Sequence, residues 1–161
     1  MPHNSVMAEN TLQKIHEIAF AEFLEKGFRG ASLREIVKKA GVTTGAFYGY
    51  YKSKEELFSA HVKPHSDYVA NLFGSLIDQF KNLPKSEWAE NMATFSKKGI
   101  VEIYEYAWKH KDAFRLILNA SEGTVFENFV HDIPFEKGLK CAEKIHDFYE
   151  AGWQSVLKLP E

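Results

Sequence analysis

Thr43, Thr44, Gly45, Ala46 and Tyr48 form a run of small or hydrogen-bonding residues with no acid among them. Such residues make contacts; they do not break bonds. Small side chains let a helix sit close to base edges, and threonine can hydrogen-bond a base edge or offer its methyl group to thymine. Tyr48, Tyr50 and Lys54 are spaced to reach phosphates on either side of that run, and Arg34 can do so from the element before it. Phosphate contacts of this kind position a protein, while base contacts specify the sequence. The surrounding charge agrees. Within 26–54, Lys26, Arg29, Arg34, Lys38, Lys39, Lys52 and Lys54 face only Glu35, a local charge of +6 in a chain whose net charge is −2. Residues 1–63 carry +2 and the remainder −4. A basic segment in an otherwise acidic chain is the footprint of a polyanion partner. A solvated charged face has the same composition, and Lys38 and Lys39 in particular fit that plainer reading.

Other chemistries find less support. His61 and His65 stand four residues apart, which suits zinc, but Pro64 lies between them and no carboxylate or cysteine motif accompanies them. No metal or other cofactor is expected. Cys141 is the single cysteine, so no intramolecular disulfide can form. There is no nucleophile elbow and no phosphate-binding glycine motif, and an enzyme is not expected. No apolar run approaches the ~18 residues needed to span a bilayer. Met1 to Asn10 lack the apolar block of a secretory signal. The expectation is a cytoplasmic protein without membrane contact.

These residues need a scaffold. The chain has 161 residues, of which 45% are hydrophobic and 26% charged, enough for a small domain and a modest second one. Apolar residues recur at helical spacing and strand signals are few, so the fold class is all-α. Leu12, Ile15, Ala19 and Phe23 stripe a first helix, which Gly27 stops. Ser32-Leu33-Arg34-Glu35 reads as a capping box opening a second helix with Leu33, Ile36, Val37 and Ala40 inward. Ala40-Gly41-Val42 makes a turn. Thr43 caps a third, short helix that carries Phe47 and Tyr51 inward. Ser53-Lys54-Glu55-Glu56 is a second capping box, opening a helix toward Pro64 or beyond. Further helices are predicted at about 66–82, 87–109, 111–121 and 138–157, with loops at Lys81 to Lys85 and His131 to Pro134. Two helices about a short glycine turn follow the helix-turn-helix plan, which lays its second helix in the major groove.

The stretch Ile15 to Phe58 resembles the Tet repressor (TetR/AcrR) family of regulators. The resemblance rests on 23–28 (FLEKGF), 32–37 (SLREIV), 40–48 (AGVTTGAFY) and 51–57 (YKSKEEL), about 45 residues. It implies that Arg34, Thr43, Thr44, Gly45, Tyr48, Tyr50 and Lys54 face DNA. It also implies a C-terminal helical domain that binds a small-molecule effector and forms a homodimer. Three positions depart from the family. Val37 replaces the usual alanine. Gly49 stands where a larger residue is common. Tyr51 replaces the usual phenylalanine, so its hydroxyl is expected to reach the surface.

The expected division is a helix-turn-helix domain at 1–54 and a helical ligand-binding and dimerisation domain at 55–161. In the latter, Phe95, Tyr104, Trp108 and Phe114, with Trp88, Ile103 and Tyr106, could line an apolar ligand pocket or be ordinary core. The segments 126–132 and 148–153 look like the end of the family's C-terminal helical pair. Between Ser121 and Phe126 the family normally has more chain. A segment near 123–126 is therefore expected to be absent, either deleted or missing from this sequence. The expected function is a ligand-responsive transcriptional regulator, a repressor, binding double-stranded operator DNA. The alternative is a helical small-molecule-binding or interaction protein whose helix-turn-helix no longer recognises DNA.

Overall fold

A computed structural model of the protein describes residues 3–129. The helix expected at 138–157, the loop at His131 to Pro134, Cys141 and the segment 148–153 lie outside the described residues. The described elements are α1 (His3–Gly30), α2 (Leu33–Lys39), α3 (Thr44–Tyr48), α4 (Lys54–Lys81), a 3-10 turn (Lys85–Glu87), α5 (Trp88–Lys109) and α6 (Lys111–Asn119). All are helical, and no strand occurs among the described residues. None of these helices is long and apolar enough to cross a membrane.

Two boundaries differ from the sequence expectation. The first concerns Gly27, which has φ 68° and ψ 168°, a conformation open essentially to glycine alone. The helical path breaks there as expected, yet a short helical turn continues to Gly30. The kink turns the Phe28 amide away from the helix, and it donates to the Ala120 carbonyl at 2.7 Å. The second concerns Pro64, which lies inside one continuous helix rather than between two. Proline lacks the N–H that would bond the carbonyl four residues back. That carbonyl belongs to Ala60, which is exposed, so water can satisfy it.

The chain forms two compact units, and the described part of the first is 3–64 with Arg115–Glu127. The described part of the second is His65–Phe114 with Asn128 and Phe129. The first is sealed around Phe23, Phe28, Phe47, Leu57 and Phe58, with Ile15, Ala19, Ile36 and Val62. Phe58 meets Phe23 edge-on at 5.0 Å between centroids, Phe28 at 5.4 Å and Phe126 at 6.3 Å. The turn that supplies Phe126 is closed by its own hydrogen bonds. Thr124 N donates to the Ser121 carbonyl at 2.9 Å, and Gly123 N to the Glu127 carboxylate at 2.8 Å. The second unit buries Val69, Phe73, Leu76, Ile103, Ala107 and Phe114.

Candidate nucleic-acid interface

The helix-turn-helix is built from caps upward. The Ser32 hydroxyl accepts from Glu35 N at 3.4 Å, opening α2. The helix closes on Gly41, whose φ of 69° allows Val42 N to reach the Val37 carbonyl at 3.2 Å. Gly41 N bonds the Lys38 carbonyl at 3.1 Å. This crossed pair is the Schellman arrangement, which needs a left-handed residue at its centre. Thr43 then caps α3, its Oγ1 accepting from Ala46 N at 3.1 Å. At the next cap, Ser53 Oγ accepts from Glu56 N at 3.2 Å. The Glu56 carboxylate bonds the Lys52 amide at 2.6 Å, one residue earlier than a regular capping box would have it.

These caps set the face of α3. Phe47 is fully buried and anchors the helix. Thr43, Thr44, Gly45, Ala46 and Tyr48 are all exposed, Tyr48 by 53%. Arg34 is exposed on α2, and Tyr50 is half-buried just beyond α3. Lys54 is placed differently from a free surface cation. Its ammonium donates to the carbonyls of Phe28 (2.7 Å) and Ala31 (2.9 Å) and sits 4.4 Å from the centre of the Phe28 ring. It ties the start of α4 to the turn that follows the Gly27 kink, and of its three donors these bonds use two.

The local charge of +6 is also redistributed by the fold. Glu22, 1% exposed, receives Lys26 at 2.6 Å and Lys39 at 2.8 Å. Hydrogen bonds from those two lysines hold its carboxyl down at about 2 against burial. Lys39 is correspondingly raised, chiefly by its bond to Glu22. Arg29 pairs with Glu122 in the first unit. Arg34, Lys38 and Lys52 remain as exposed cations beside α3. Lys39 is therefore a helix tie rather than the free surface lysine that its sequence context suggests. The Tyr51 hydroxyl, expected to reach the surface, has a partner on α1. His16 meets it at 2.6 Å, because the ring lies half-buried against α1. Glu22 and His16 are the residues that sequence reasoning passed over. Both stand on the first helix, where their spacing to Lys26 and Ile15 marked only an amphipathic surface.

The residues expected around an effector take several settings within the second unit. Phe95 packs edge-on against Phe80 at 5.6 Å, and Phe80 lies 5.4 Å from Trp88. Phe114 is fully buried against His65, Tyr106 and Phe129. Tyr104 is half-buried, and burial raises its hydroxyl's pKa. Trp108 is 56% exposed. Tyr106 was among the residues offered for a pocket, but its partners near Phe114 were not foreseen: Tyr68 stacks on it at 3.7 Å, and His65 bonds its hydroxyl at 3.1 Å. Their i,i+3 and i,i+4 spacings (His65 to Tyr68, Tyr106 to His110) are the signal that could have found them. His61 and His65 each pair with a different histidine, His16 and His110. Among the described residues no group of three or more His, Cys, Asp or Glu gathers to hold a metal.

Comparison with known proteins places this geometry. Residues 15–61 match the family model described as bacterial regulatory proteins, tetR family. The HTH-type transcriptional regulator AcrR of Shigella flexneri is 46% identical over 52 residues, 32% of this chain and 24% of that protein. The transposon Tn10 TetC protein of Escherichia coli is 41% identical over 61 residues, 38% of this chain and 31% of its own length. YvdT of Bacillus subtilis, an HTH-type transcriptional regulator, is 34% identical over 100 residues, 62% of this chain and 47% of its own length. The matched stretches thus span a quarter to a half of these relatives. A crystal structure of a transcriptional regulator of the TerR/AcrR family from Aquifex aeolicus VF5 superposes with a TM-score of 0.57 at 25% identity. That superposition covers 91% of this chain and 84% of the other. Residues 15–61 thus carry the N-terminal domain that the tetR family of bacterial regulatory proteins shares.

Proposed function

We propose that the protein is a transcriptional regulator that reads operator DNA with α3 and represses as a homodimer until a small-molecule effector releases it. The observation that carries this reading is the exposed, acid-free face of Thr43, Thr44, Gly45 and Tyr48 on a helix anchored by the buried Phe47. Thr44 and Tyr48 are the candidate base-reading and backbone-touching side chains. Arg34, Lys38 and Lys52 are candidate phosphate contacts, with Tyr50 and the remaining donor of Lys54 beside them. Two protomers would present two copies of α3 to major-groove segments about one helical turn (~34–36 Å) apart. The effector would bind in the second unit, near Phe95, Tyr104, Trp108 and Phe114. It would act only by the difference in its affinity for the DNA-competent and DNA-incompetent states.

The test is selection of bound sequences from random duplex DNA, followed by anisotropy measurements across salt concentrations. Each phosphate neutralised contributes a slope of about −0.9 in log K against log salt. A slope of roughly −3 or steeper per protomer, with sequence preference, is expected. Weak binding that stays flat from low to moderate salt would instead favour a ligand-binding protein that has given up DNA.

A further inference from the structure

Beneath α3 lies a cluster that DNA contact does not use. His16 of α1 and His61 of α4 meet edge-on, with ring centroids 4.6 Å apart and planes at 68°. His61 also borders Phe20 at 6.1 Å and Phe23 at 6.4 Å. Its Nε2 is buried and has no hydrogen-bond partner. His16 Nε2 lies 2.6 Å from the Tyr51 hydroxyl. Tyr51 in turn bonds through its amide to the Phe47 carbonyl at 3.1 Å, and its ring lies 6.1 Å from that of Phe47. Contacts thus run from an unpartnered buried nitrogen to the side chain that anchors α3.

We propose that the His61–His16–Tyr51 cluster is a proton-responsive device within the helix-turn-helix unit, in which protonation of the histidine pair loosens the packing that holds α3. The physical argument is one of missing partners. A proton on His61 Nε2 would place a cation among phenylalanine rings, with no acceptor for the new N–H and a second imidazole beside it. A proton on His16 would remove the lone pair able to accept the Tyr51 hydroxyl, so that hydroxyl would have to turn. The titratable groups facing the pair are each other and Tyr51, which precedes α4. Glu56 of α4 acts on the Tyr51 phenol, whose pKa is raised mainly by burial. Burial, and then His16, hold His61 down at about 4, and burial also lowers His16. Because the folded pKa lies below the unfolded one, the stability is present above the ordinary value of 6.5. It is lost as pH falls from there toward 4.

The experiment is urea unfolding of the full chain at about pH 7.5 and about pH 5.5, where His61 alone should raise the unfolding constant about tenfold. The variant His61→Leu should show a much flatter pH dependence. An equal dependence in both proteins would overturn the proposal. Should the variant not fold, an NMR titration of the wild-type histidine ring protons decides the matter. A His61 resonance that stays neutral well below pH 6 supports the device, and an ordinary midpoint overturns it. Any consequence for DNA rests on the function proposed above. The unfolding and NMR measurements need no DNA, so their failure is distinguishable from a failure of DNA binding.

Discussion

The two compact units use their aromatic residues in opposite ways. In the first, Phe23, Phe28, Phe47 and Phe58 are sealed inside, and the exposed face of α3 carries small side chains with Tyr48 as its one aromatic. In the second, Tyr68, Tyr106, His65 and His110 stack on one another while half-exposed, and Trp108 and Val101 stand out on the surface. On α5, Thr94, Lys97, Lys98, Val101, Glu102 and Glu105 line an open groove of mixed charge. The contrast shows how a recognition surface can be prepared. A rigid apolar interior frees the outer face to carry small side chains that contribute little to stability and are available for binding.

The largest effect should come from the sealed core. Phe58→Ala is expected to cost about 3–5 kcal/mol, since it removes a ring met by three others. Trp108→Ala should stay within about 0.5 kcal/mol. Urea unfolding measures both, and similar costs would break the comparison between the units. Glu22→Gln should cost about 1–3 kcal/mol at neutral pH, below the ~3–5 of a fully buried pair because both lysines are part-exposed. The folded pKa of about 2 lies below the ordinary 4.5, so this stabilisation is present above 4.5 and disappears as pH falls toward 2. A gap between wild type and variant that persists in acid would count against the pairing. Gly27→Ala meets nothing within 4 Å, so its cost reports the backbone alone. That cost is expected at about 1–3 kcal/mol by the same measurement. Tyr48→Ala should change stability least, within about 0.5 kcal/mol. It should nevertheless weaken binding to a selected duplex by about tenfold, or ~1.4 kcal/mol. Wild-type affinity by anisotropy would remove Tyr48 from the interface.

Much of the first unit was legible because its signals are local. Ser32, Thr43 and Ser53 cap helices within four residues of themselves. Gly41 closes α2 on residues immediately before it. Caps and left-handed glycines act over one helical turn, so sequence order is spatial order there. The exposure of Thr44, Gly45 and Tyr48 followed from the same register, once Phe47 was inward. The second unit was less legible. A half-buried aromatic such as Tyr104 and an exposed one such as Trp108 look alike in sequence, because what covers them comes from elsewhere in the chain.

By itself, then, the sequence determined the helical class, the caps, the turn at Gly41 and the likeness of residues 15–61 to the tetR-family domain. Only the tertiary structure decided which charges stay free. Lys26, Lys39, Arg29 and Lys54 counted toward a basic segment, yet Glu22, Glu122 and two backbone carbonyls take them up. It likewise decided that Tyr51 turns its hydroxyl to His16, thirty-five residues away. Electrostatic and hydrogen-bond partners are chosen by distance in space, and folding brings Glu122 to Arg29 across ninety-three residues. Capping chemistry is written along the chain, whereas pairing is settled only when the chain has packed.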